Sequence, residues 1–184
     1  MDAAVDPDAV LMLAYAQGDL AAFETLYARH RGMLYRFLRR SVRDPHRADE
    51  LFQETWSRVI SARARYQPRA KFSTWLLQIA HNLMIDGLRR QRPMAGSAEA
   101  EVALAQVASP EHERPDQALS AFQRRRSLQR AIEQLPREQR TVVLLRLEQE
   151  LSLEEIAEVT GAGRETVKSR LRYAMTRLRE VLSE

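Results

Sequence analysis

The chain has 184 residues with no cysteine, four histidines, and 29 basic against 25 acidic side chains, for a net charge of +4. Without cysteine there is no disulfide scaffold, thiolate zinc site or cysteine nucleophile, and His30, His46, His81 and His112 are too scattered to pair as metal ligands, reading as surface or partly buried residues. No apolar run reaches the ~18 residues that a bilayer span needs, and the acidic N-terminus is unlike a signal peptide.

The text reads as helical almost throughout, with no period-two, β-branched run of the kind that marks a strand. A first helix is predicted over 8–17, stopping near Gly18. A second, over 19–42, carries Phe23, Leu26, Tyr27, Leu34, Tyr35 and Leu38 at helical spacing. Asp44-Pro45 ends it and opens a third helix over 45–63, because proline suits a first turn. On this third helix Leu51, Phe52, Trp56, Val59 and Ile60 supply apolar contacts, while Asp49, Glu50, Gln53 and Glu54, with Asp44 before them, form an acidic and amide surface in an otherwise basic region. Such a surface is either simply solvated or a docking face for a basic protein, since it repels DNA.

The stretch RARYQPRAKFS is polar and holds a proline, which predicts a loop carrying Arg65, Tyr66, Arg69 and Lys71. Ser73 is then expected to cap a helix reaching residue 90, with Trp75, Leu76, Ile79, Leu83 and Leu88 on its apolar side. Asn82, Asp86, Arg89 and Arg90 recur at i, i+4, i+7 and i+8 and so share a different face. Cations and an aromatic beside a polar helix face are what holding single-stranded DNA requires; an ordinary solvated face reads about as well.

Charge then switches. Residues 1–92 carry 15 basic and 10 acidic groups, net +5; residues 93–117 are net −4; residues 118–184 are net +3. The middle segment has three prolines and no sustained helical period, which predicts a linker between two all-helical domains, 8–92 and 118–184. In the second domain, LSLEEIAEVTGAGRETVKSRLRYAMTRLREVL reads as two helices around a glycine-containing turn. Ser152 and Glu155 form a capping box, and Leu153, Ile156, Ala157 and Val159 give the first helix its buried side. Val167, Leu171, Ala174, Met175 and Leu178 make one apolar stripe on the second. Its other side presents Glu165, Ser169, Arg172, Tyr173 and Thr176, flanked by Lys168 and Arg170. Donors, acceptors and an aromatic on a capped helix-turn-helix point to DNA in the major groove.

The runs ADELFQETWSRVI, FSTWLLQIAHNLMIDGLRRQ and LSLEEIAEVTGAGRETVKSRL together resemble the extracytoplasmic-function group of bacterial sigma-70 factors, over about residues 10–92 and 118–182. The resemblance implies sigma domains 2 and 4 joined by a flexible linker, no enzymatic activity and no cofactor. It implies that Asp49, Glu50, Gln53 and Glu54 dock on the clamp coiled coil of the polymerase β′ subunit, with the β flap as a further contact. Arg65, Tyr66, Arg69 and Lys71 would select a flipped base of the promoter −10 element, and Asn82, Asp86, Arg89 and Arg90 would lie beside the melted strand. Arg164, Glu165, Thr166, Lys168, Ser169, Arg170, Arg172 and Tyr173 would read the −35 element.

The implied protein is a cytoplasmic initiation factor that binds core RNA polymerase in a stress or envelope response. It would be restrained by an anti-sigma factor and would not insert in a membrane. The chain departs from the common family pattern at Ala48-Asp49-Glu50, which keeps the charge, and at Glu165 and Tyr173 on the readout face, so its −35 sequence cannot be borrowed from relatives. Two other readings remain at this point: a conventional helix-turn-helix regulator, against which the acidic helix argues, and a nucleic-acid enzyme, for which no carboxylate cluster speaks.

Overall fold

The computed structural model describes residues 6–91 and 117–183 as eight α-helices, with no strand among them. The predicted linker, 93–117, lies outside the described residues except for Gln117, which begins a helix. The N-terminal half holds α1 (Pro7–Ala16), α2 (Leu20–Ser41), α3 (Pro45–Ala62) and α4 (Phe72–Gln91), with a 3₁₀ turn at Arg63–Arg65. The other half holds α5 (Gln117–Gln134), α6 (Arg137–Leu147), α7 (Leu153–Thr160) and α8 (Arg164–Ser183).

Local chemistry sets the helix starts. Asp19 caps α2 by accepting from Ala22 N at 3.2 Å, and Asp44 caps α3 by accepting from His46 N at 3.0 Å. Gly18, at φ +103°, takes the backbone between α1 and α2 where a Cβ would be strained. The expected cap at Ser73 is replaced by a remote one. Ser73 falls inside α4, and the Phe72 N–H donates to Asp6 Oδ2 at 2.6 Å, while Asp6 Oδ1 accepts from Asp8 N at 3.1 Å. One carboxylate therefore caps α1 and α4 together, which no local pattern around residue 73 encodes.

Apolar burial does the rest, at ~1.5–3 kcal/mol per large side chain. In α2, Leu26, Leu34, Phe37 and Leu38 are fully buried, and with His30 midway between the first two the buried face repeats at three- and four-residue steps. Tyr15, Phe23, Tyr27, Phe52 and Trp56 form a connected aromatic cluster against them, with Phe23 edge-on to Trp56 at 5.9 Å. Two residues expected in this core stand outside it. Tyr35 is 40% exposed and Ile60 39%, because each lies at the margin of its helix's apolar stripe. Conversely His30 and His81, read as surface or partly buried, are buried. His30 Nε2 meets Asp8 Oδ2 at 2.7 Å and Arg29 Nη1 donates to Asp8 Oδ1 at 2.6 Å, which pins α1 to α2.

The two halves pack against each other, α4 on α7 and α2 on α6. The centre of the second half is α6, in which Arg140 to Leu145 are all buried. Arg140 is 7% exposed, and its Nη atoms donate to Ser41 O at 3.4 Å, Glu133 O at 2.8 Å and Leu135 O at 3.1 Å. A cation thus sits at the carboxyl ends of α2 and α5, where carbonyls lack helical partners and the dipoles are negative. Lys71 Nζ to Glu155 Oε1 at 2.9 Å, Gln78 Nε2 to Glu158 O at 3.0 Å, and an Arg40–Glu148 ion pair complete the join.

Replacing Asp6 by alanine removes two caps, each worth ~1 kcal/mol. Thermal unfolding followed by circular dichroism is expected to show Tm lowered by roughly 4–8 °C; an unchanged Tm would show that the shared cap contributes nothing.

Candidate nucleic-acid interface

On α3, Leu51, Thr55, Trp56 and Val59 face inward, so Asp49, Glu50 and Gln53 stand in solvent and Glu54 is half-buried. The surface is partly neutralised by its own helix: Arg47 Nη1 lies 2.8 Å from Glu50 Oε2, and Arg58 Nη2 3.6 Å from Glu54 Oε1. Arg47 is held there because it crosses Gly87 of α4, where a Cβ would come within 2.2 Å of its Nη2. Asp49 instead accepts from the Tyr35 hydroxyl at 3.1 Å, a neutral donor that leaves its charge intact. That same bond raises the Tyr35 pKa.

The loop after α3 is more ordered than its composition suggests. Arg69 Nη2 donates to Gln67 Oε1 at 2.7 Å and Arg69 N to Gln67 O at 2.8 Å. Tyr66, expected as an exposed loop aromatic, is 8% exposed and packs edge-on to Trp75 at 4.8 Å and Phe72 at 6.4 Å. Burial first, then the charges of Asp6 and Asp8, push its phenol up to about 12. Tyr66 and Trp75 line a depression of about 550 Å³ together with Arg65, Arg69 and Gln78, and Glu158 of α7 closes one side. An aromatic surface flanked by two arginines suits an unstacked base and its phosphates. Trp75, which its helical spacing assigned to packing, lines the same depression as Tyr66. The signal was its place one turn after the loop, at the margin of the apolar stripe.

Lys71 belongs to the same loop but is engaged elsewhere. Its ammonium pairs with Glu155, whose carboxyl would be raised by burial yet is held below 4.5 by the Ser152 N–H and by Lys71. Asn82, Asp86, Arg89 and Arg90 are all exposed along α4 as predicted, and the structure brings them onto one open face.

In the second half the capping box is present in both directions: Ser152 N to Glu155 Oε2 at 2.8 Å and Glu155 N to Ser152 Oγ at 3.1 Å. Gly161 turns the chain at φ +66°. Val167, Ala174 and Leu178 are buried, which turns Glu165, Thr166, Lys168, Arg172 and Tyr173 outward. Arg164 Nε pairs with Glu154 Oε1 at 2.5 Å, tying α7 to the start of α8. Glu165 is flanked by Arg164 at 3.5 Å and Lys168 at 3.7 Å. The Arg172 guanidinium lies over the Tyr173 ring, 5.1 Å from its centroid. Ser169 is half-buried, and Arg170 does not join the exposed face. It sits three residues after Val167 and four before Ala174, on the edge of the buried stripe, and its Nη2 meets Glu138 Oε2 of α6 at 2.5 Å.

Arg170 and Glu138 line a cleft between α4 and the second half that also contains His81, Arg89 and Arg137. Burial, then the charges of Arg170 and Arg137, push His81 down to about 4 from 6.5, against an opposing effect of Glu138. The unfolded chain therefore takes up a proton that the folded chain refuses. Stability from neutral His81 is complete above about pH 6.5 and is lost as pH falls towards about 4, at no more than ~1.4 kcal/mol per unit. Urea midpoints at about pH 7 and about pH 5 are expected to converge in His81→Gln relative to the parent. If the slope is unchanged, His81 is not its source.

Among the described residues there is no group of three or more histidines and carboxylates able to hold a metal, and no helix is long and apolar enough to cross a membrane.

The chain matches the family profile Sigma-70 region 2 over residues 26–93 and Sigma-70, region 4 over residues 131–180. It is 35% identical over 173 residues to RNA polymerase sigma factor CarQ of Myxococcus xanthus, covering 94% of this chain and 96% of that protein. It is 33% identical over 175 residues to ECF RNA polymerase sigma factor SigM of Mycobacterium tuberculosis, covering 95% and 84%. Its fold is similar to that of CnrH, solved in complex with the cytosolic domain of CnrY (TM-score 0.68, 24% identity, 96% of this chain and 97% of that one). It is also similar to sigma factor RpoE, solved with the anti-sigma factor NepR from Bartonella quintana (TM-score 0.65, 20% identity, 88% and 96%).

Proposed function

The chain belongs to the extracytoplasmic-function group of the sigma-70 family, and from that premise we propose how its two halves divide the work of promoter recognition. As an alternative sigma factor it binds core RNA polymerase and directs it to promoter DNA. The first domain, 8–92, docks on polymerase through Asp49, Glu50, Gln53 and Glu54, of which Asp49 has no ion-pair partner among the described residues. The depression lined by Arg65, Tyr66, Arg69 and Trp75 receives an unstacked −10 base. Lys71 and the α4 face of Asn82, Asp86, Arg89 and Arg90 track the strand released beside it. The second domain, 118–184, reads the −35 element with Arg164, Glu165, Thr166, Lys168, Arg172 and Tyr173; Ser169 and Arg170 position the helix. No nucleotide hydrolysis is required of the factor, because capture of unstacked bases offsets the cost of melting.

The observation that carries this reading is the pairing, in one chain, of an arginine-rimmed aromatic depression with a capped helix-turn-helix whose outward face is polar and largely unpacked. The packed arrangement has a consequence for it. Elements named for positions −10 and −35 lie about 25 base pairs apart, roughly 85 Å along B-DNA. Contact of α4 with α7 cannot survive engagement of both, so promoter binding separates the halves and releases Lys71 from Glu155. A protein inhibitor that holds the halves together would silence the factor; an anti-sigma factor is the kind of partner with which the similar RpoE was solved. The protein works where core polymerase is, in the cytoplasm.

Reversing charge at Asp49 and Glu50 (D49K/E50K) is expected to weaken core-polymerase affinity about tenfold or more without changing the circular dichroism spectrum. Undiminished affinity would refute the docking assignment. At the −35 end, Glu165→Gln is expected to relax preference at one base position, ~1–3 kcal/mol of discrimination if the carboxylate accepts from a cytosine amino group. Lys168→Ala should instead weaken all promoters evenly. Run-off transcription on a promoter library separates the two outcomes, and an even loss from Glu165→Gln would assign that residue to helix electrostatics alone.

A further inference from the structure

Five arginines converge where the two halves meet behind the promoter-reading surfaces. Arg39, Arg40 and Arg43 come from the last turn of α2 and just beyond it, Arg130 from α5 and Arg140 from α6. They line a cleft of about 540 Å³ whose only acidic lining residue is Glu133. Arg40 is paired with Glu148, whereas Arg39, Arg43 and Arg130 have no ion-pair partner among the described residues. Arg140 is 7% exposed and its Nε has no acceptor; the buried Ser41 Oγ, next to Arg40 in the chain, is also unpartnered. Such a concentration of like charge in one cleft is self-repelling, and a buried N–H without an acceptor costs about 1–3 kcal/mol. The arrangement is complementary to a compact, multiply charged anion.

We propose that this cleft is a binding site for a pyrophosphate group, which bridges the two halves of the factor. The chemistry selects the class. Several guanidiniums in different orientations match the several oxygens of adjoining phosphates and exceed what one carboxylate or monophosphate can satisfy. No aromatic side chain lines the cleft, and its one apolar residue is Val42, so nothing is present on which a nucleobase would stack. Recognition therefore rests on the phosphates, whether they are free pyrophosphate or the diphosphate of a nucleotide.

Because the guanidiniums come from both halves, the anion binds the packed arrangement better than the separated one and shifts the population towards it. Under the sigma-factor reading, that bias opposes simultaneous −10 and −35 engagement. Binding itself does not depend on that reading and is tested without polymerase.

The test is isothermal titration of the full chain with sodium pyrophosphate, ADP and GDP at constant ionic strength. Arg43→Gln on the α2 side and Arg130→Gln on the α5 side are made singly; both residues are exposed, so the fold is retained and is checked by circular dichroism. Saturable one-to-one binding is expected, weakened about tenfold by each substitution and unaffected by Arg172→Ala on the recognition helix. ADP and GDP are expected to bind within about threefold of pyrophosphate. Absence of saturable binding, or equal loss from Arg172→Ala, overturns the site. Loss from only one of the two glutamine variants overturns the bridge. A nucleotide preference above about tenfold overturns recognition through phosphate alone.

Discussion

The buried guanidinium of Arg140 is the constraint around which the two halves are arranged. It gives hydrogen bonds to the last carbonyls of α5 and to Ser41 at the end of α2, so one side chain terminates a helix in each half. Burial lowers its pKa, and the nearby Arg43 pushes the same way, but an arginine this far above neutrality stays charged. An uncompensated buried cation is intolerable, so the carbonyls must remain in reach whenever the halves are together. Two of these carbonyls lie in its own half and hold the guanidinium in place, so the Ser41 carbonyl of the other half meets a donor that is already positioned.

A factor that must span two separated promoter elements nevertheless begins from a packed form, which sets two demands against each other. The join carries one lysine–glutamate pair, one arginine–glutamate pair, a glutamine on a helix carbonyl and Arg140, beside buried apolar side chains that run from one half into the other as a single core. Of the polar contacts, the Lys71–Glu155 pair contributes least, because its ammonium stands in solvent and water replaces it readily. Separating the halves uncovers apolar surface as well as breaking these polar contacts, whereas the aromatic cluster lies wholly inside the first half.

Much of this was legible in the sequence, for reasons that differ by residue. The capping box at Ser152 and Glu155, the αL glycine at 161 and the stripe from Val167 to Leu178 are local signals, and each fold element they predict is present. The start of α4 was misread because its cap is supplied by Asp6, 66 residues away, while a serine stood at the locally plausible place. Arg140 and His81 were invisible for the same reason: a polar residue on a helix carries no mark of what another helix will lay over it. Arg170 sits at the edge of an apolar stripe, where a one-residue step in phase decides between solvent and core, while Tyr66 lies in a loop, where no periodicity forecasts burial. Trp75 shows the converse, a side chain counted as packing that also lines the depression next to it. The exposure of candidate site residues was readable where they lie on an open helix face, and lost where it depended on contacts between distant segments.

The double cap at Asp6 also bears on how the chain is made. A ribosome adds roughly 5–20 residues per second, so the 66 residues between Asp6 and Phe72 represent about 3–13 s during which α1 has emerged without its second anchor. Through that interval Met12 and Tyr15, buried in the finished protein, have only an incomplete domain to cover them. The Asp8 bonds to Arg29 and His30 hold α1 on α2 well before Phe72 is added, so the shared cap closes the domain around a helix pair that is already joined.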